Sequence, residues 1–198
     1  MVLAVIFASC KRELSKDAAL ENGDLIFQTS LSSQSKAIQA ATKSKYSHCG
    51  IVYIDGNKSY VFEAVQPVKL TPLQEWIDRG KYHHYVVKRL KNRGQILNPE
   101  ALKRLKEVGE GFRGKSYDLT FEWSDEKIYC SELIYKMFDR ALNIKIGTLE
   151  TLSSFDLSNQ IVKNKMKERY GTRIPLAEKV ISPKSIFESD LLETVLSK

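Results

Sequence analysis

Cysteine and histidine are scarce in this chain, whose 198 residues contain three of each. The cysteines, Cys10, Cys49 and Cys130, are odd in number and have no C-x-x-C spacing, so neither a disulfide framework nor a cysteine-based zinc site is expected. His83 and His84 are adjacent, and neighbouring side chains of a strand point to opposite faces, so the pair is poorly placed to share a metal ion. We therefore predict no metal or other cofactor, and each cysteine needs its own explanation.

Long hydrophobic runs are also absent, and the apolar stretch at residues 1–8 is too short to span a bilayer. It leads into Ala8-Ser9-Cys10, and small residues directly before a cysteine resemble the lipobox of bacterial lipoproteins. That resemblance implies that Cys10 carries a diacylglycerol and holds the protein at a membrane of the bacterial cell envelope. Residues 1–22 are then a lipoprotein signal remnant and a polar tether. A frayed apolar N-terminus is the alternative interpretation.

Acidic residues are outnumbered by basic ones, 24 against 31, which gives a formal net charge of +7. Such a balance first suggests nucleic-acid binding. However, the bases in residues 88–91, 103–106 and 163–173 alternate with apolar or acidic residues and form no recognisable nucleic-acid motif. Solvated faces of helices and strands account for them, so we predict no nucleic-acid partner.

Length and pattern predict one α+β domain over residues 23–198, because a chain of this size buries one core well and two poorly. Apolar periodicity and turn signals define its elements. We expect strands in residues 24–27, 46–54, 59–65 and 82–90, and helices in residues 30–42, 98–111, 130–142 and 181–196.

The clearest local signal is the hairpin in residues 46–65, where two β-rich runs flank a turn at residues 56–57. In this register Glu63 is a diagonal neighbour of His48 on the same face, within reach of a long side chain. A slip of one residue would move Glu63 to the other face. By the same alternation Cys49 points away from His48, and we interpret it as a core residue.

Cys130 lies at the start of a second strong pattern, a series of apolar residues at helical spacing up to Leu142. At the first turn of such a helix, free backbone N–H groups and the positive end of the dipole favour a thiolate over a thiol. We therefore predict that Cys130 is a nucleophile. A buried, inert thiol is the alternative.

A cysteine hydrolase needs a thiol, an imidazole base and a polar group that orients the imidazole. His48 suits the role of base because its ordinary pKa is close to neutral, and Glu63 would orient it and stabilise the imidazolium. Backbone N–H groups near Cys130 would form part of an oxyanion hole. Tyr46 and Tyr117 are further candidates for donating a hydroxyl to the oxyanion or lining the substrate pocket, and ordinary packing is the alternative for both.

Three separated segments, residues 46–52, 62–64 and 129–133, resemble in order the circularly permuted NlpC-type papain-like hydrolases, specifically their YiiX-like branch. Ordinary papain-like enzymes carry the cysteine before the histidine, whereas the order here is histidine, acid, cysteine. The resemblance implies a permuted papain-like fold with an antiparallel sheet packed against helices and the nucleophile at a helix N-terminus. It also implies an amidase or peptidase that acts on a peptide or a small cell-wall fragment, with the same three catalytic residues.

Two alternatives remain open. An acyltransferase or lipid-ester hydrolase resembling the lecithin retinol acyltransferases would share the fold, but those enzymes carry Asn-Cys-Glu-His where residues 129–132 are Tyr-Cys-Ser-Glu. A non-catalytic peptide-binding lipoprotein would keep the fold and the cleft. The intact cysteine, histidine and glutamate argue against this second alternative.

Overall fold

The computed structural model describes residues 19–198. Cys10 and the rest of the predicted lipoprotein segment up to residue 18 lie outside the described residues. In the described part, no helix combines the length and the apolar character needed to cross a bilayer. Glu21 accepts a hydrogen bond from Arg89, and Asn22 Oδ1 accepts one from Ile54 N at 2.7 Å. The folded domain therefore includes the chain from Glu21 onward.

Strands and helices follow one another along residues 19–198 in a mixed α+β arrangement. The strands are β1 (Leu25–Ser30), β2 (His48–Asp55), β3 (Lys58–Glu63), β4 (Lys69–Pro72), β5 (Gly80–Leu90), β6 (Ser116–Tyr117), β7 (Lys127–Ile128), β8 (Glu150–Thr151), β9 (Lys179–Val180) and β10 (Leu192–Ser197). The helices are α1 (Ser33–Thr42), α2 (Leu73–Asp78), α3 (Arg93–Ile96), α4 (Pro99–Glu110), α5 (Cys130–Leu142), α6 (Gln160–Tyr170) and α7 (Pro183–Phe187), with a 3₁₀ turn at Leu152–Ser154.

The main sheet has the strand order β10-β5-β1-β2-β3-β4, and every neighbouring pair is antiparallel. Helix α5 packs on β2, and α4 packs on α5. Leu133, Ile134, Met137 and Phe138 of α5 have no exposed surface and form the centre of the core with the inner face of the sheet. The predicted antiparallel sheet packed against helices is confirmed.

The hairpin and the helix starts that position the site follow the sequence prediction. Strands β2 and β3 pair with Ile54 opposite Ser59, which places the turn at residues 56–57. Helix α4 begins after Asn98, whose side chain accepts from Ala101 N at 2.9 Å. Helix α5 begins at Cys130, as predicted.

The predicted terminal helix over residues 181–196 is wrong. Helix α7 spans only Pro183–Phe187, and the chain then forms β10, which pairs antiparallel with β5. Leu192 and Leu196 are both buried. Residues four apart share one face of a helix, whereas in β10 a bulge between Thr194 and Leu196 turns Leu192 and Leu196 to opposite faces of the sheet, so their spacing alone does not distinguish a helix from a strand. Residues 192–197 form a strand because they pair with the free edge of β5, and the local sequence carries no signal for that edge.

Candidate active site

His48 and Glu63 meet at the end of the hairpin, with His48 Nε2 2.5 Å from Glu63 Oε2. His48 begins β2 and Glu63 ends β3, which is the diagonal relation predicted from the turn. Gly50 follows His48 by two residues on β2. A Cβ at Gly50 would lie 2.3 Å from Val61 Cγ1 and 2.9 Å from the backbone oxygen of Phe62. A glycine at this position therefore allows β3 to approach β2 closely beside the pair.

Glu63 is completely buried, yet its carboxylate is well supplied with donors. Its second oxygen, Oε1, accepts from Thr71 Oγ1 at 2.6 Å and from the guanidinium of Arg79. Burial raises the pKa of Glu63, but the hydrogen bond and charge of His48, together with Thr71 and Arg79, outweigh it and lower the pKa to about 2. Glu63 is therefore a carboxylate at neutral pH. Thr71 and Arg79 were not found from the sequence, because only the placement of β4 and α2 brings them to Glu63.

Cys130, the first residue of α5, lies against His48 with only 2% of its surface exposed. Because Nε2 of His48 faces Glu63, Nδ1 is the ring nitrogen left for the thiol. Burial lowers the pKa of His48, but the hydrogen bonds and charges of Cys130 and Glu63 outweigh it and raise the pKa to about 10. The imidazole is therefore protonated at neutral pH.

Cys49 contacts Cys130 from β2, and within residues 19–198 both cysteines are free thiols. The hydrogen bond from the Cys49 thiol is the largest cause that lowers the pKa of Cys130 well below its usual range, and His48 and the Cys49 backbone N–H add to it against burial. Burial raises the pKa of Cys49 itself well above its usual value. The prediction that Cys49 is a core residue is confirmed, and its donation to Cys130 is an additional finding.

The structure brings Tyr117 to the site and places Tyr46 in the core. The Tyr117 hydroxyl accepts from Gln34 Nε2 at 3.1 Å, and burial followed by the negative charge of Cys130 raises the pKa of Tyr117 well above its usual range. Tyr117 thus stays protonated beside the nucleophile. Tyr46 instead stacks on Phe187, with ring centroids 4.2 Å apart, and lines neither of the recesses described next.

Two recesses meet at this site. The first, here called the apolar pocket, includes Cys130 in its wall and extends between α1 and α6 to Leu152. The second, here called the polar groove after its serine and glutamine side chains from β1 and the start of α1, includes His48 in its wall, and apolar atoms supply the larger part of its surface. Gln34, Ile38 and Tyr117 belong to both walls, so the two recesses adjoin across these side chains.

Within residues 19–198, no group of three or more His, Cys, Asp and Glu side chains is arranged to hold a metal ion. Tyr82 and His83 both have positive φ angles, 59° and 55°, so the regular alternation assumed for His83 and His84 is not kept. His83 Nδ1 lies 3.5 Å from Asp78 Oδ1 instead.

The fold, the helix-start cysteine and the histidine–carboxylate pair on the sheet define a cysteine hydrolase of papain-like type in permuted order. A family model described as "Permuted papain-like amidase enzyme, YaeF/YiiX, C92 family" matches residues 19–196, and the chain belongs to this family. The resemblance drawn from three sequence segments is thereby confirmed.

Two relatives from Escherichia coli are similar over most of their length. The chain is 47% identical over 175 residues to the uncharacterized protein YiiX of strain K12, which covers 88% of this chain and 85% of that protein. A crystal structure described as metalloprotein YiiX from strain O157:H7 matches with a TM-score of 0.85 and 47% identity, covering 90% of this chain and 97% of the other.

Proposed function

We propose that this protein hydrolyses an amide bond with Cys130 as nucleophile, His48 as general acid and base, and Glu63 as the residue that orients His48. One observation carries the proposal: His48 is held between the buried carboxylate of Glu63, 2.5 Å away, and the thiol at the start of α5. The resulting thiolate and imidazolium are the reactive forms that a cysteine hydrolase needs.

In the first half of the reaction, Cys130 Sγ attacks the amide carbon, and the C=O electron pair moves onto the oxygen. The first N–H groups of α5 have no partner within the helix and can donate to that oxyanion. Its electron pair then reforms the C=O bond as the C–N bond breaks, and His48 gives its proton to the departing nitrogen. The products of this half are a thioester on Cys130 and a free amine.

In the second half, neutral His48 takes a proton from a water molecule, which attacks the thioester carbon. Collapse of this second tetrahedral adduct breaks the C–S bond, releases a carboxylic acid and restores the thiolate and imidazolium. Glu63 takes no proton in either half. Its charge stabilises the imidazolium, and its position fixes the ring with Nδ1 toward Cys130.

Peptides and small cell-wall fragments are the proposed sources of the amide. The polar groove supports this choice, since its serine and glutamine side chains offer hydrogen bonds to peptide-like groups. An acyltransferase on the same fold would differ in the second half alone, with an acceptor hydroxyl or amine in place of water.

The description of the O157:H7 protein as a metalloprotein raises the question of a metal in this chain. The side chains of residues 19–198 do not supply the clustered donors that such a site requires. No step of the proposed reaction uses a metal ion.

The proposed thiolate–imidazolium pair is tested by the rate of iodoacetamide alkylation of Cys130 as a function of pH. We expect an apparent pKa well below the free-thiol value of about 8.5 in the parent protein and a higher value in His48→Ala. His84→Ala is the matched control, because it removes a histidine outside the site and should leave the titration unchanged. An ordinary titration near 8.5 that His48→Ala does not alter would contradict the proposal and favour a non-catalytic binding protein.

A further inference from the structure

The guanidinium of Arg79 uses only part of its capacity for hydrogen bonds. It donates to Glu63 Oε1, and within residues 19–198 it forms no other hydrogen bond or ion pair. A guanidinium carries N–H donors on each of its nitrogens. Because 41% of the Arg79 side chain is exposed, the remaining donors face solvent and can bind a further acceptor.

Arg79 lies in the wall of the polar groove, as does His48. The two side chains bind different oxygens of the same carboxylate, that of Glu63, so the imidazole and the guanidinium lie close together. Both are cations at neutral pH. The groove wall therefore carries positive charge where the substrate meets the catalytic histidine.

Acidic side chains do not offset this charge at the groove surface. Among the described residues, no aspartate or glutamate belongs to the wall. Glu63 is completely buried behind it, and its single negative charge is shared by the two cations. The other polar groups of the wall are neutral hydroxyls and amides, such as those of Ser30, Ser32 and Gln66. The wall thus favours a ligand that brings negative charge to Arg79.

The position of Arg79 relative to the thiol assigns this charge to one half of the substrate. His48 presents Nε2 to Glu63 and Nδ1 to the thiol of Cys130. Arg79 binds Glu63, so the imidazole separates the guanidinium from the sulfur that takes the acyl group. The departing nitrogen must reach His48 to receive a proton. The amine half therefore enters the groove that contains Arg79.

We propose that Arg79 is a specificity-determining residue that binds a carboxylate on the amine half of the substrate. This inference rests on the proposed function, because it names the leaving group of that same reaction. The planar guanidinium matches a carboxylate and keeps its proton throughout. Hydrolysis breaks the C–N bond, adds one water molecule and releases an anionic amino acid or short peptide. The groove, about 970 Å³ with its open mouth, has room for such a group.

A binding experiment tests the carboxylate site without depending on turnover. Cys130→Ser protein is titrated with N-acetyl-alanyl-glycyl-glycine and with the C-terminal amide of the same peptide, which differ by one negative charge. We expect the acid to bind about tenfold more tightly, the effect of a charged hydrogen bond at a partly exposed site. Equal affinity for the two peptides would overturn the proposal.

Arg79→Gln, made in the Cys130→Ser protein, should abolish the preference for the acid. Lys81→Gln is the matched control, because it removes the same charge from an exposed side chain that does not belong to the groove wall. Lys81→Gln should keep the preference. A preference that survives in folded Arg79→Gln would place the carboxylate elsewhere and overturn the proposal.

Turnover separates the carboxylate site from the support that Arg79 gives to Glu63. Loss of that support lowers kcat/KM for every amide alike, whereas loss of the carboxylate site lowers it for the acid alone. The ratio of kcat/KM for the acid to that for the amide should therefore exceed one in the parent protein and fall toward one in Arg79→Gln. A ratio that Arg79→Gln leaves unchanged would limit Arg79 to its structural role and overturn the proposal.

A third peptide, N-acetyl-alanyl-glutamyl-glycinamide, carries its carboxylate on a side chain. Preference for this peptide or for the C-terminal acid identifies which carboxylate Arg79 binds, and either order supports the proposal. Equal kcat/KM for all three peptides, with a low-pKa titration of Cys130, would overturn the carboxylate site and leave the hydrolase intact. Failure of the hydrolase itself is recognised separately, by an ordinary Cys130 titration.

Discussion

The guanidinium of Arg79 donates a hydrogen bond to Oε1 of Glu63, the carboxylate oxygen that His48 does not use. Arg79 follows α2 and has 41% of its side chain exposed, whereas Glu63 has none. A buried carboxylate without a partner is strongly disfavoured. Arg79 and Thr71 therefore allow Glu63 to remain charged while it holds His48.

Glu63→Gln should shift the alkaline limb of the pH–activity profile to lower pH. The charge of Glu63 helps to raise the pKa of His48 to about 10, so the imidazolium that protonates the departing amine is lost as pH rises through that value. Without the charge, this loss occurs at lower pH, and kcat falls by about 10²-fold or more. The measurement is kcat/KM against pH. His84→Ala, which changes a histidine outside the site, is the control. An alkaline limb that stays in place in Glu63→Gln would contradict the role assigned to Glu63.

Tyr117→Phe should reduce kcat by about 10²–10³-fold, because Tyr117 is a protonated hydroxyl beside Cys130 and can donate to the oxyanion. Tyr46→Phe is the matched control. Its ring stacks on Phe187 in the core, so loss of the hydroxyl should leave kcat unchanged. Both values come from steady-state kinetics on one amide substrate. Equal kcat in the two variants would remove Tyr117 from the oxyanion hole.

Gly50→Ala should destabilise the protein by about 1–3 kcal/mol, since the added methyl group would collide with Val61 and with the backbone of Phe62. Urea unfolding measures the difference. Gly94→Ala is the appropriate comparison, because a Cβ at Gly94 meets nothing within 4 Å. If both substitutions leave the midpoint of urea unfolding unchanged, β2 and β3 leave room for a methyl group at Gly50, which would contradict the prediction.

Cys10 is predicted to carry the lipid, so protein expressed in a bacterium with labelled palmitate should become labelled and sediment with membranes. Cys10→Ser should lose both properties because it lacks the acceptor thiol. Cys49→Ser changes a buried cysteine and should retain them. Parent protein that is unlabelled would show that the residues before Cys10 do not direct lipid attachment.

The parts of the site set by local rules could be predicted from the sequence. The turn at residues 56–57 fixes the register that joins His48 to Glu63, and apolar spacing fixes the start of α5 at Cys130. The contacts of Arg79 with Glu63 and of Cys49 with Cys130 depend on how distant elements pack, and no local pattern encodes them. The same reason explains β10, whose partner β5 is about a hundred residues away in the chain.

The permuted order also determines when each part of the site is synthesised. The β2–β3 hairpin, with His48 and Glu63, leaves the ribosome several seconds before Cys130, at translation rates of about 5–20 residues per second. Because a hairpin closes within microseconds, the acid–base pair can form while the rest of the domain is still being made. The reactive thiol is thus added last, to a nascent chain whose base is already present.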